Sequence, residues 1–125
     1  MATITFTGNL AADPEVVQIH GGRSVTRLRV IENRRRLNHD TGEWEDGEPN
    51  AFRVQAWDSL GRNAAESLTK GAAVDIVGHV VTDRWTDKET GQDRTTQTVV
   101  AESLAPSLKW QTAQVEKAAP RRESN

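Results

Sequence analysis

Arginine and tryptophan share one face of a predicted strand in the middle of the chain. In AFRVQAW (51–57), the two-residue period of a strand separates an apolar set from a polar set made of Arg53, Gln55 and Trp57. A core tryptophan would fall in register with the apolar residues, so Trp57 is predicted to be displayed. An exposed ring stacks on any nucleobase, and a guanidinium neutralises phosphate. This face is therefore predicted to bind a single-stranded nucleic acid.

A second tryptophan, Trp85, stands in the charged stretch RWTDKETGQDR (84–94), where Thr90-Gly91 predicts a hairpin turn. The basic residues of this stretch are Arg84, Lys88 and Arg94. Structural roles compete with binding at both rings, because Trp57 could complete the core over a helix end and Trp85 could pin its hairpin to the body. The occurrence of both rings on basic strands favours nucleic-acid binding.

Further arginines surround the predicted face. In SVTRLRV (24–30), Leu28 and Val30 share one face, and Arg27 and Arg29 share the other. The same strand ends in Arg34, Arg35 and Arg36. An isolated basic run is a weak signal, but this one stands at the start of a long loop beside the predicted face. All five arginines therefore belong to the predicted site.

The remaining composition argues against catalysis. The 125 residues contain no cysteine, which excludes disulfides and thiolate chemistry. The three histidines, His20, His39 and His79, lack a spacing typical of a metal site. No pair of carboxylates stands out as a general acid and base. We expect a protein without enzymatic activity, metal or cofactor.

Charge and length point to one small domain. Five of the 18 acids lie within residues 40–48, which leaves 13 acids against 16 bases elsewhere, so a mildly basic body carries one acidic loop. No apolar run reaches the roughly 18 residues of a membrane span, and Met1 leads into alternating sequence rather than a leader. We expect a single cytoplasmic domain with no membrane partner.

The elements that must position these residues are mostly strands. Period-two alternation predicts strands over 2–9, 24–30, 51–57, 73–85 and 94–104, and residues 37–50 read as a long loop. The four-residue spacing of Leu60, Ala64 and Leu68 predicts one helix, capped by Ser59 and ended by Lys70-Gly71. This order describes an all-β, five-stranded Greek-key barrel of the OB fold, with one short helix between strands three and four. A β-sandwich is the competing fold, and the position of the helix favours the barrel.

Three segments resemble the bacterial single-stranded DNA-binding proteins: ITFTGNLAADPEV, FRVQAWDSLGRNAAESLTKGAAVDIVG and RWTDKETGQDRTTQTVV. The resemblance covers about residues 1–105 in unbroken order, which we take as the binding domain, with 106–125 as a short flexible tail. It implies an OB barrel assembled as a homotetramer. It also implies cooperative binding of single-stranded DNA with little sequence preference, in replication, recombination and repair at the nucleoid.

The resemblance assigns roles to individual residues. Trp57 and Trp85 correspond to stacking aromatics of the family. Its phosphate-binding basic positions correspond to Arg53, Lys70, Arg84 and Arg94. Its subunit contacts correspond to Phe52 and to the first strand, which carries Ile4 and Phe6.

Departures from the family pattern modify this expectation. The family has a further aromatic where this chain has Arg34-Arg35-Arg36, and another at about Ala51. Asp83 stands where a base is usual, and Ser59 replaces a frequent lysine. Because two stacking rings are absent, ionic contacts with phosphate supply a larger share of the affinity. We therefore expect weaker and more salt-sensitive binding than in a housekeeping member of the family.

The end of the chain departs as well. It reads PRRESN instead of the family's acidic tip, which recruits replication and repair proteins. This ending indicates either a short actinobacterial paralogue or a shortened form of a longer chain, and it leaves recruitment of such partners open. The alternative function is a primosome-type protein-interaction subunit on the same fold, with only weak ionic contact to DNA.

Overall fold

The structure is a computed structural model in which strands account for most of the chain. It describes residues 2–32 and 35–119, without the side chain of Arg35. In chain order the strands are β1 (Thr3–Leu10), β2 (Glu15–Gln18), β3 (Ser24–Glu32), β4 (Arg35–Leu37), β5 (Trp44–Asp46), β6 (Asn50–Trp57), β7 (Ala73–Thr86) and β8 (Asp93–Pro106). Helix α1 (Asp58–Ser67) follows β6, and a 3-10 turn at His20–Gly22 precedes β3. No helix in the described part of the chain is long and apolar enough to cross a membrane.

Five of these strands close into a barrel. The sheet runs β1-β7-β8-β6-β3, and β1 pairs again with β3 where Asn9 meets Ile31 and Leu10 meets Val30. The contact between β6 and β8 is parallel, and the other barrel contacts are antiparallel. The predicted OB-fold barrel is therefore confirmed, with α1 between its third and fourth strands. Strand β2 adds to the outer edge of β3.

The core lies inside the barrel, where alternate residues of each strand meet. Val30, Val54, Val74 and Ile76 are almost completely buried, as strand alternation predicts. Phe6 from β1 stacks on Phe52 from β6, with ring centroids 4.2 Å apart. These inward side chains leave the opposite faces of β3 and β6 for polar residues.

Helix α1 seals one end of the barrel through small residues. Gly61 and Ala64 are its buried positions. A Cβ at Gly61 would lie 2.2 Å from the carbonyl oxygen of Ala56, so only glycine permits this approach. The predicted cap is wrong: the helix begins at Asp58, its N-cap is Trp57, and no side chain caps it. It also ends at Ser67, before the predicted stop.

Two hairpins extend from the barrel. Residues 37–50, expected to be a loop, contribute to a small hairpin in which β4 pairs with β5 and Leu37 faces Trp44. Strands β7 and β8 are 14 residues each, so their distal halves form a two-stranded arm. The arm ends in a turn where the Asp87 N–H donates to the Gln92 carbonyl oxygen. This arm carries Trp85 away from the core.

Candidate functional site

The polar faces of β3 and β6 form one continuous surface. Strand register places Arg29 directly opposite Arg53, and Arg27 directly opposite Gln55. All three arginines are exposed, as the alternation of side chains along a strand predicts. On the other side of β3, Glu15 of β2 is the cross-strand neighbour of Arg27. The sequence therefore identified this set correctly as an outward-facing basic group.

A groove of about 540 Å³ follows this surface. We call it the basic groove; its lining includes Asp13, Glu15, Arg27, Arg29, Arg53, Gln55 and Thr98. The lining thus contains three guanidinium groups and two carboxylates. An open cleft with excess positive charge suits an extended anionic polymer better than a small apolar ligand.

The pairing of Arg29 with Arg53 has no evident structural benefit. Like charges directly opposite each other across two strands destabilise a sheet. Among residues 2–32 and 35–119, neither side chain forms an ion pair with a carboxylate that would offset the repulsion. A phosphate bound between the two strands would offset this cost.

Trp57 lies on the same outer face, at the end of β6. Its cross-strand neighbour is Val25, which is 3% exposed, and Arg27 and Arg29 lie further along β3. The guanidinium carbon of Arg23 lies 4.7 Å from the centroid of the Trp57 ring. The ring is therefore half-buried between an apolar residue and a cation.

The carboxylate of Asp58 holds Arg23 in this position. Arg23 Nη2 and Nε donate to Asp58 Oδ2 at 2.8 and 3.2 Å, and the Ser24 N–H donates to Asp58 Oδ1 at 3.3 Å. The hydrogen bond from Arg23 is the main cause that lowers the pKa of Asp58, and burial opposes it. Neither residue is marked in the sequence, because their contact spans 35 positions and no local motif indicates it.

Trp85 lies on the arm, 50% exposed and directly opposite Arg94. Alternation along β8 puts Thr96 and Thr98 on the same face as Arg94, and Thr98 lines the basic groove. The Trp85 face is thus continuous with the groove. Arg94 Nε donates to Asp87 Oδ2 at 3.0 Å, while the Glu89 N–H, the Arg94 side chain and Thr90 together lower the pKa of Asp87.

The lining of the basic groove does not include the predicted residues Arg84, Lys88 and Lys70. Arg84 pairs with Thr95, which puts its side chain on the opposite face of the arm from Trp85. Lys88 is exposed in the turn of the arm. Lys70 is exposed in the loop after α1, where its backbone N–H donates to Asp13 Oδ1 at 2.7 Å. Strand alternation therefore separates the Arg84 side chain from the Trp85 ring, although the two residues are adjacent in sequence.

Two arginines of the run at 34–36, Arg35 and Arg36, belong to the small hairpin. Arg36 Nε lies 3.3 Å from Glu45 Oε1 in an exposed ion pair. The backbone of Arg35 pairs with that of Asp46, and Arg34 lies outside the described residues. The acidic loop noted in the sequence thus supplies the partner of Arg36.

The predicted subunit-contact residues point inward in this chain. Phe6 is 7% exposed and stacks on Phe52, and Ile4 packs against the same core. Core packing within one chain therefore accounts for their burial, and a role between subunits stays a prediction.

Within the described ranges, no three His, Asp or Glu side chains gather where they could hold a metal ion. His79 Nδ1 lies 3.2 Å from Glu102 Oε1 on the outer surface. The arrangement of groove, arm and two tryptophans is one of binding.

Known proteins are similar to this chain over most of its length. The model of the single-strand binding protein family matches residues 1–107. The single-stranded DNA-binding protein of Mycobacterium tuberculosis (strain H37Rv) is 40% identical over 116 residues, covering 93% of this chain and 70% of the relative. That of Corynebacterium glutamicum is 35% identical over 114 residues, covering 91% of this chain and 50% of the relative.

Solved structures agree. A crystal structure of the small single-stranded DNA-binding protein from Streptomyces coelicolor superposes with a TM-score of 0.72 at 27% identity, covering 85% of this chain and 94% of that one. A deletion mutant of the single-stranded DNA binding protein from Thermus aquaticus superposes with a TM-score of 0.71 at 19% identity, over 88% of this chain and 52% of that one. The latter supports the fold.

Proposed function

This chain belongs to the single-strand binding protein family, and on that basis we propose that it binds single-stranded DNA along the basic groove and the arm. Bases stack on Trp57 and Trp85, while phosphates contact Arg27, Arg29, Arg53 and Arg94. The protein coats and protects the strand without chemical reaction, metal or cofactor. Its cellular setting is DNA replication, recombination and repair in the cytoplasm, at the nucleoid.

The opposed pair of Arg29 and Arg53 is the observation that carries this proposal. The two like charges oppose each other on an exposed face, and the same face of β6 carries Trp57 at its end. Phosphate neutralisation releases counterions and supplies most of the sequence-independent affinity. Stacking adds about 1–3 kcal/mol per base and does not read base identity. The combination fits binding with little sequence preference.

A fluorescence titration tests the proposal. Oligo-dT and a duplex of equal length are added at two salt concentrations, and the quenching of tryptophan emission is followed. We expect strong quenching by oligo-dT alone, because only an unpaired base can stack on Trp57 or Trp85. Trp57→Ala and Trp85→Ala should each weaken oligo-dT binding by about 5- to 150-fold, the equivalent of one stacked base.

Trp110→Ala is the matched control, since Trp110 is 85% exposed in the tail, away from the groove lining. Its affinity should stay within about twofold of wild type. Equal and weak responses to both nucleic acids, lost with added salt, would contradict stacking. The basic face would then act in a protein-interaction subunit with only ionic DNA contact.

We also propose assembly as a homotetramer through β1. Residues Thr3 to Asn9 pair with β7 on one side, but the ladder with β3 on the other side covers only Asn9 and Leu10. Among the described strands, the second edge of Thr3–Gly8 therefore has no partner, and an unpaired edge favours addition of another strand. Sedimentation equilibrium should give four chains per particle, and a monomer at micromolar concentration would contradict it.

The division into a binding domain (1–105) and a tail (106–125) is likewise a proposal. Removal of residues 112–125 should leave oligo-dT affinity within about twofold, because none of the described residues of that segment, 112–119, lines the basic groove. A larger loss of affinity would show that the tail takes part in DNA binding.

A further inference from the structure

Arg23 and Trp57 form a unit that the basic groove does not include. Arg23 lies between the 3-10 turn and β3, and its guanidinium carbon is 4.7 Å from the Trp57 ring centroid. A guanidinium over a ring is attracted by it, and its own plane offers a surface on which a base can stack. The two residues are separated along the chain by the whole of β3 and the small hairpin, so tertiary structure alone joins them.

The backbone at Asp58 is strained in a way that serves this contact. Its φ of +53° lies in the left-handed region, where a residue other than glycine is disfavoured. Asp58 is the first helical residue of α1, yet its carboxylate does not cap that helix. Both oxygens instead receive donors from Arg23 and Ser24. A strained residue maintained by such contacts suggests a functional constraint.

The cluster presents positive charge to the solvent. The side chain of Arg23 is 44% exposed, whereas that of Asp58 is 18% exposed. Arg62 of α1 adds a second guanidinium, whose Nη1 donates to Ser24 Oγ at 3.1 Å. Two cations thus surround one inward carboxylate, and an incoming anion meets Arg23 first.

We propose that Arg23 and Trp57 form one nucleotide subsite for single-stranded DNA, in which a base stacks on the joined ring and guanidinium and the adjacent phosphate contacts Arg23. Asp58 is the positioning residue that keeps Arg23 over the ring. This proposal rests on the proposed DNA binding and extends the site beyond the groove to the turn that precedes β3.

Substitutions at Arg23 give the first test. Binding of fluorescein-labelled oligo-dT is followed by anisotropy over a series of salt concentrations. Arg23→Ala should weaken binding about 5- to 30-fold and lower the slope of log affinity against log salt by about 0.7, the value for one lost phosphate contact on a single strand. Arg23→Lys should keep the slope but not the affinity, because an ammonium supplies charge without a planar stacking surface.

Asp58→Asn gives the sharper test, since it makes the protein more positive. General electrostatics predicts tighter DNA binding for this variant. Our proposal predicts weaker binding, by about 3- to 10-fold, because Arg23 loses its ionic anchor. Glu66→Gln is the control: it makes the same charge change on the exposed side of α1, and its affinity should equal or slightly exceed wild type.

The outcomes separate the two proposals. If Trp57→Ala does not weaken oligo-dT binding, the subsite is overturned, whereas the proposed function fails only if the wild-type protein also shows no preference for oligo-dT over duplex DNA. If Trp57→Ala weakens binding but both Arg23 variants stay within twofold of wild type, or bind more tightly, only the subsite is overturned. If Arg23→Ala does not fold, Arg23→Lys alone tests the subsite, and an affinity within twofold of wild type, or tighter, would overturn it. In the Trp57→Ala background, the effect of Arg23→Ala should shrink, since the two residues act as one surface.

Discussion

Trp85 and Arg94 face each other across the antiparallel arm, yet in the described structure the guanidinium of Arg94 does not lie over the ring. Arg94 Nε instead donates to Asp87 Oδ2 at 3.0 Å in the turn. The same pair of residue types is thus arranged differently at the two tryptophans. Asp58 holds an arginine on Trp57, and Asp87 holds an arginine away from Trp85.

Asp87→Asn should therefore tighten binding of oligo-dT. The asparagine oxygen can still accept the Glu89 N–H that forms the turn, while the competing negative charge beside Arg94 is removed. An exposed ion pair of this kind is weak, so we expect only a modest increase, of about 1.5- to 5-fold, in affinity at low salt. Anisotropy titrations of both proteins measure it. Weaker binding would mean that Asp87 positions Arg94 for DNA rather than competing with DNA for it.

Removal of Arg29 should weaken binding and leave the fold intact or more stable. Arg29→Ala takes away the repulsion with Arg53, which is worth about 0.2–1 kcal/mol for a cross-strand pair. It also removes one phosphate contact, so the salt slope should fall by about 0.7. Urea unfolding and salt-dependent titration report the two effects separately. A marked loss of stability with unchanged affinity would show that the arginine pair is structural.

The contact between α1 and the barrel should not tolerate a methyl group. In Gly61→Ala the new Cβ would meet the Ala56 carbonyl oxygen at 2.2 Å and Thr26 Oγ1 at 2.5 Å. We expect a loss of about 3 kcal/mol in the free energy of unfolding, typical of severe overpacking. Gly42→Ala is the comparison, because Gly42 has a φ of +73° but open space around it, and about 1 kcal/mol is expected there. Equal losses in urea unfolding would rule out a packing explanation for Gly61.

Acid should weaken the fold partly through Asp58. The hydrogen bond from Arg23 holds the pKa of Asp58 below its ordinary value of 3.8, so the folded state favours the ionised form. The resulting stability is complete above the ordinary pKa and is lost as the pH falls through the lower folded value. The difference in Tm between wild type and Asp58→Asn should stay constant from pH 7 to about pH 5 and shrink below about pH 4. A constant difference down to pH 2 would show that the Asp58 charge does not contribute. Asp87, whose pKa is also lowered, remains in both proteins and cancels from the comparison.

The sequence by itself determined the barrel and which side chains of β3 and β6 face outward. Alternation in strands is local, since successive side chains must point to opposite sides of the backbone. Arg27, Arg29 and Arg53 could therefore be assigned to the outside, and the order of strands with one helix was enough to select the OB fold. The same rule could have separated Arg84 from Trp85, because adjacent residues of one strand cannot share a face.

Tertiary structure alone decided which side chains meet. Register across strands set Arg29 against Arg53 and Trp85 against Arg94, and register depends on turn length and on packing of the whole sheet. The small hairpin that pairs Arg36 with Glu45 lay within a stretch whose composition is typical of a loop. The contact of Arg23 with Asp58 and Trp57 joins a turn to a helix start through a residue of unfavourable backbone conformation. No periodic pattern predicts such a contact, because it exists only once the barrel has brought the ends of β3 and β6 together.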